Sequence, residues 1–293
     1  MTRIAVLTPN PEDTSYSGQW PQVLERLTAT LAAAGVTAAP TPWTDHVEDA
    51  AGLAAYPLVL PVIAWGYHRE HARWLKACAC WQAAGTRLAN PATVLGWNSD
   101  KTYLRRLAQR GAPIPSTRWV DRATPEAVAA AFAETGAERL VVKPTVSGGA
   151  WRTLRLSPGE AMDQPPAGAA MIQPYLPSIE SEGETSLLFF GRRFSHAVNK
   201  RPVGGDFRIQ VQFGGQYRPV TPPDEAMALA ETVLAAIDEP LLYARMDMAR
   251  DADGRWLLME AELIEPDFYL GHDPAAGAGF ARAVRERLDA LAD

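Results

Sequence analysis

Cysteine is nearly absent from this 293-residue chain: Cys78 and Cys80, in K-A-C-A-C-W, are the only two. Spaced i, i+2 inside an expected helix, they point to different sides, so a disulfide between them is geometrically poor and no C-x-x-C centre exists. A reducing, cytoplasmic setting fits. Positive charge is also scarce. The formal net charge is -6, with no basic stripe to neutralise a phosphate backbone, which argues against nucleic acid and for a small partner. Long apolar runs are missing too: L-V-L-P-V-I-A-W at 58–65 is too short to span a bilayer. The opening M-T-R-I-A-V-L-T reads as a strand that begins at once, without the apolar region of a signal peptide. Two nucleotide signatures are lacking. No glycine-rich turn is followed by G-K-[ST], and no G-x-G-x-x-G opens a helix.

What is present suits a soluble enzyme of two or three subdomains, with 47% hydrophobic and 21% charged residues. Strands are expected at Ile4–Leu7, Val36–Pro40 and Leu58–Val62, and helices at 21–34 and 70–84. This alternation predicts a parallel α/β sheet, whose ligands gather at strand carboxyl ends. That rule nominates the loop at 8–18 and Trp65 to His68, although His68 beside Arg69 and Glu70 also reads as a surface histidine. From Asn90 a new unit begins, in which Asn98 or Ser99 caps a helix running toward Gly111, with Lys101 in its first turn.

Four later segments carry charge where chemistry needs it. In R-L-V-V-K-P-T-V-S-G-G at 139–149 a β-branched strand ends in Lys143, and Ser147, Gly148 and Gly149 let backbone amides approach an anion. A hairpin turn is the plainer reading of that glycine pair. In Q-P-Y-L-P-S-I-E-S-E-G-E at 173–184, Gln173 to Leu176 offer polar edges to a planar base, and Glu180 and Glu184 can accept from hydroxyls. Lys200, Arg201 and Arg208 concentrate positive charge around glycine turns, with exposed pairing to Asp206 as the alternative. Finally, Asp247 in A-R-M-D-M and Glu260 and Glu262 in M-E-A-E lie on strands joined by a hairpin turn at Arg250 to Arg255. Glu260 and Glu262, two apart, share a face. A carboxylate within a buried strand costs desolvation unless a cation compensates, so these three are candidate ligands for hard cations such as Mg2+, or else a buried ion-pair cluster.

The order N-S-D-K at 98–101, V-V-K-P with a glycine-rich loop, Q-P-Y-L, E-T-S-L at 184–187, K-R-P-V-G-G-D-F-R at 200–208, Asp247 and M-E-A-E resembles the ATP-grasp superfamily, near the glutathione synthetases and ribosomal-protein glutamate ligases. The resemblance implies an N-terminal Rossmann-like α/β domain at 1–95, a central subdomain with a glycine-rich lid at 96–175 and a C-terminal, metal-carrying α+β subdomain at 176–293. It implies carboxylate activation by ATP to an acyl phosphate, then attack by nitrogen. Lys101 and Lys143 match the lysines on the ATP phosphates, Gln173, Tyr175 and Leu176 the adenine hinge, and Glu184, in preference to Glu180, the ribose acceptor. Lys200 falls at the family's phosphoryl-steadying arginine, with Arg201 beside it and Arg208 nearer the substrate. Asp247, Glu260 and Glu262 match the ligands of two Mg2+ ions, with Glu262 departing from the usual Asn. The segments Q-P-Y-L-P-S-I, S-H-A-V-N-K-R-P and E-L-I-E-P-D-F-Y-L are similar to the cycloserine-forming cyclo-ligase group. That implies ring closure of O-ureido-D-serine, a small amino-acid-like substrate, with His196 or His68 assisting proton transfer, no membrane partner, and a homodimer among the expected states. An intermolecular carboxylate-amine ligase and a non-catalytic ATP-binding regulator are the alternatives.

Overall fold

The computed structural model describes residues 1–202 and 214–292. In the first third, β1 (Thr2–Thr8) lies between β2 (Val36–Pro42) and β3 (Val59–Leu60) in a parallel sheet. Ile4 and Val6 pack with Leu27 and Leu31 of α1 (Trp20–Ala32), while Ala5 and Leu7 pack with Trp74 and Trp81 of α2 (His71–Ala83). Both faces of β1 are covered, which is why its sequence is a continuous apolar run rather than an alternation. The third strand is shorter than the expected 58–62 because Pro61 cannot continue the ladder.

The helix expected from Asn98 to Gly111 is two helices, α3 (Ala92–Asn98) and α4 (Tyr103–Gln109). Asn98 ends the first instead of capping the second, because its amide is committed elsewhere: it donates to the Ala261 carbonyl at 2.8 Å and accepts from the Leu263 amide at 3.0 Å. Tyr103 Oη accepts from the Ala261 amide at 2.8 Å. These side chains satisfy a strand edge that would otherwise stay unpaired. Lys101 therefore sits in the turn between two short helices, its amide bonded to the Thr145 carbonyl at 2.8 Å.

Two antiparallel sheets follow. The first has the order β4-β7-β5-β6, from β4 (Arg118–Val120), β5 (Leu140–Pro144), β6 (Leu154–Leu156) and β7 (Ala170–Pro174). Helix α5 (Pro125–Thr135), capped by Thr124, packs Val128 and Ala131 on Leu140, Val142 and Ile172. After α6 (Ser178–Ser181) come β8 (Glu184–Phe190), β9 (Arg193–Arg201), β10 (Gln216–Val220), α7 (Asp224–Ala235), β11 (Tyr243–Arg250), β12 (Trp256–Glu262) and α8 (Ala278–Ala290). The five strands form a sheet of order β10-β9-β8-β11-β12. Strand periodicity divides it. Leu187, Phe189, Ala197, Ala244, Met246 and Met248 point into one core with α7. On the other face Leu188, Phe190 and Val198 pack with Phe280 of α8, and the same face carries charge at its far end.

Asn90 joins the parallel unit to this sheet. It donates to the carbonyls of Tyr243 and Leu263 at 2.9 and 2.8 Å and accepts from the Leu242 amide at 2.7 Å, all buried.

Candidate active site

The charged end of the five-stranded sheet is built by alternation. Glu184 lies opposite Lys200, Ser186 opposite Asp247, Asp247 opposite Glu260 and Arg245 opposite Glu262. A bulge at Met259 makes this possible. Met248 pairs with Leu258 immediately after Asp247 pairs with Glu260, so Met259 is extra and the ladder changes phase. Leu258 can then enter the apolar core while Glu260 and Glu262 keep to the other face.

The three carboxylates each offer an oxygen within 4.8 Å of the others. Lys200, 3% exposed, lies 2.6 Å from Glu184 and 3.3 Å from Asp247. Arg245 contacts Asp247 at 2.9 Å and pairs with Glu262, and its guanidinium lies 5.2 Å from the Tyr269 ring centre. Ser186 donates to Asp247 at 2.5 Å. Burial works against ionised Asp247, but Arg245 and Lys200 outweigh it and hold its carboxyl below the usual range. Glu262 behaves differently: burial, reinforced by Asp247 and Glu260, pushes it up to about 7 despite Arg245. Glu260 is drawn below its ordinary value because Lys101, 3.2 Å away, and Lys143 overcome its burial.

This donor set fits a hard divalent cation. All ligand atoms are carboxylate oxygens, and the second oxygens of Glu260 and Glu262 have no partner among the described residues.

Lys143 reaches the same cleft from β5. It has no ion-pair partner among the described residues, and burial, with Lys101 nearby, lowers its pKa although Glu260 pulls the other way. The loop after it contains Ser147, Gly148 and Gly149, the last at φ 59°. A Cβ on Gly148 would come within 2.9 Å of the His68 ring. Glycine lets the loop pack closely against the N-terminal unit, where a side chain would displace the His68 ring, a reason the loop sequence by itself did not disclose. Burial, with Arg69 and Lys101, holds His68 down at about 4.

The hinge residues lie along β7 and just beyond it. Gln173 is buried and donates to Thr117 Oγ1 at 2.9 Å; Tyr175 and Leu176 are buried. Glu180 accepts from Tyr175 Oη at 2.8 Å and from Arg155 at 2.7 Å at the rim, whereas Glu184 is inside the cleft on Lys200.

Two expected catalytic residues are placed elsewhere. Arg201 follows Lys200 on β9 and so points to the opposite face, where its Nε donates to the Glu182 carbonyl at 3.0 Å. His196 is 4% exposed beside the Phe190 ring; its Nε2 donates to the Phe268 carbonyl at 2.9 Å, and its Nδ1 faces Ser195 Oγ at 3.0 Å and Asp273 Oδ1 at 3.8 Å. Both ring nitrogens are used in packing the core. Arg208 and the glycine turn at 203–206 lie outside the described residues. Arg245 went unread in the sequence. The signal was available, since Arg245 and Asp247 are two apart on one strand.

The three sheets and the cleft between the two antiparallel ones are the architecture of an ATP-grasp ligase. Solved structures agree: D-alanine–D-alanine ligase from Bacillus anthracis matches with a TM-score of 0.73 at 14% identity over 99% of this chain and 98% of its own, and carries the fold alone. The crystal structure of D-cycloserine synthetase DcsG matches with a TM-score of 0.80 at 26% identity, over 98% of this chain and 99% of that one. Residues 4–90 match the family described as D-cycloserine synthetase DcsG, N-terminal domain. The cycloserine biosynthesis protein DcsG of Streptomyces lavendulae is 31% identical over 274 residues, 87% of this chain and 90% of that protein. The chain belongs to the DcsG family of ATP-grasp ligases. Among the described residues no helix is long and apolar enough to cross a membrane.

Proposed function

We propose that the chain closes O-ureido-D-serine to D-cycloserine, consuming ATP and releasing ADP and phosphate. The observation that carries the ligase chemistry is the meeting of Lys101, Lys143, Lys200 and Arg245 with Asp247, Glu260 and Glu262 in one cleft. Phosphoryl transfer asks a protein mainly for positioning and charge neutralisation. Lys101 and Lys143 would hold the ATP phosphates from two sides, and Lys200 and Arg245 would steady the group that moves to the substrate carboxylate. Asp247, Glu260 and Glu262 would hold two Mg2+ ions, which when bound neutralise charge on the phosphates. Glu184, the hinge at Gln173 to Leu176 and the loop Ser147 to Gly149 are assigned to ribose, adenine and phosphate cover, within the central unit at 96–175 and the edge of the C-terminal one at 176–293.

The carboxylate becomes an acyl phosphate. The oxyamine-type nitrogen of the same molecule attacks its carbon, phosphate leaves, and the carbamoyl group passes to water. The 31% identity to the cycloserine biosynthesis protein supports this reading over intermolecular ligation. Incubation with ATP, Mg2+ and O-ureido-D-serine should yield ADP and an isoxazolidinone by mass spectrometry without a second amine. ADP release that depends on a separate amino acid would overturn ring closure.

A further inference from the structure

Beyond the carboxylate hairpin the chain returns to the charged end of the five-stranded sheet at Tyr269. This residue is 8% exposed, and the Arg245 guanidinium and Lys200 ammonium lie 5.2 and 5.9 Å from its ring centre. Both distances fall within the range over which an aromatic face holds a cation. Tyr217 pairs with Lys200 across β9 and β10, so it shares that face of the sheet, and it packs edge-on against Tyr269 with ring centres 5.3 Å apart. The backbone is strained where the ring enters. Tyr269 has φ 47° and ψ 39°, a left-handed conformation that is unfavourable for a residue with a β-carbon. Its amide donates to the Asp267 carboxylate and its carbonyl accepts from the His272 amide, both at 2.8 Å, and these bonds hold it there. Strain of this kind persists only where the surroundings over-determine it, and it gathers at functional sites.

The two cations give the ring its task. A guanidinium carries five N–H groups, and Arg245 commits four of them to described residues: Nε and Nη2 to Asp247 at 3.1 and 2.9 Å, Nη2 also to Glu262, and Nη1 to the Asp267 carbonyl at 3.3 Å. Among the described residues, one N–H on Nη1 is left for a ligand. Lys200 is likewise drawn to Glu184 and Asp247. A further carboxylate here would take the last donors and cancel the positive charge that a transferring phosphoryl group requires. An aromatic face attracts a cation and takes no N–H from it. We propose that Tyr269 is a positioning residue whose ring holds Arg245 and Lys200 in place for phosphoryl transfer without neutralising them. This assignment rests on the function proposed above, in which those two cations steady the moving group.

The test varies the electron density of the ring while keeping its shape. Wild type, Tyr269→Phe, Tyr269→Leu and proteins with mono-, di-, tri- or pentafluorophenylalanine incorporated at position 269 are compared in ADP release with ATP, Mg2+ and O-ureido-D-serine. Tyr269→Phe should stay within about twofold of wild type, kcat should fall stepwise with fluorination, and Tyr269→Leu should lose about 10-fold in kcat, with KM for ATP unchanged throughout. A ring that only fills space would give one kcat at every degree of fluorination. The fluorinated series keeps the packing and serves if Tyr269→Leu does not fold. A flat series in soluble protein, or one whose effect falls on KM for ATP alone, would overturn the proposal. Wild type inert toward O-ureido-D-serine would instead overturn the ring-closing reading, and the assignment with it, before any variant is made.

Discussion

Lys200 and Lys143 face one cleft from two sheets and are held in opposite ways. Lys200 is enclosed in β9 with Glu184 at 2.6 Å and Asp247 at 3.3 Å; burial opposes its charge, but the two carboxylates win and raise its pKa. Lys143, at the end of β5, has no ion-pair partner among the described residues, and burial lowers its pKa. The difference teaches that the five-stranded sheet pairs Lys200 within its own fold, whereas Lys143 of the four-stranded sheet pairs with no described residue. On the proposed function, a bound phosphate would complete the second without being needed by the first.

The largest effect should come from Lys200→Met. Removing Lys200 strands the buried Glu184 and leaves Asp247 to Arg245 alone, so unfolding in urea should show a loss of about 3 to 5 kcal/mol, with activity lost as well. If stability is unchanged, the contrast between the two lysines fails. Lys143→Met should leave urea stability near wild type, because no internal pair is broken, and lower kcat/KM about 10²- to 10³-fold. Steady-state kinetics and denaturation on the same preparation separate these outcomes.

The cations of the cleft also make a pH prediction. Burial, Arg69 and Lys101 bring folded His68 to about 4 from an ordinary value of 6.5. A histidine with a depressed folded pKa is neutral in the native state and gains its proton more readily on unfolding, so its contribution is complete above 6.5 and declines as pH falls toward 4. Between those limits wild type should lose up to about 3 kcal/mol from this group, and His68→Gln should flatten that part of the stability curve. The smallest effect belongs to Arg201→Ala. Arg201 faces away from Lys200 and bonds the Glu182 carbonyl, so kcat should stay within about twofold of wild type. A large loss in kcat would place it in the cleft after all.

Much of this was legible in the sequence because carboxylates in apolar strands are costly and therefore conspicuous. Asp247, Glu260 and Glu262 could be placed together from their spacing, a hairpin turn and strand periodicity. The same periodicity, applied to Arg245 and to the neighbours Lys200 and Arg201, would have found the buried arginine and turned Arg201 outward. Other features had no local signal. The bulge at Met259 depends on which strand lies opposite, and the commitment of Asn98 to the β12 edge joins residues far apart in the chain. His196 has the composition of a catalytic group, and only the tertiary structure sets its ring beside Phe190 with Nε2 on the Phe268 carbonyl.

Oxygen transfer tests the central claim most directly. With O-ureido-D-serine carrying 18O in both carboxylate oxygens, an acyl phosphate route predicts one 18O in each phosphate released, in step with ADP and ring product. Unlabelled phosphate accompanying ring closure would contradict activation of the substrate carboxylate by ATP.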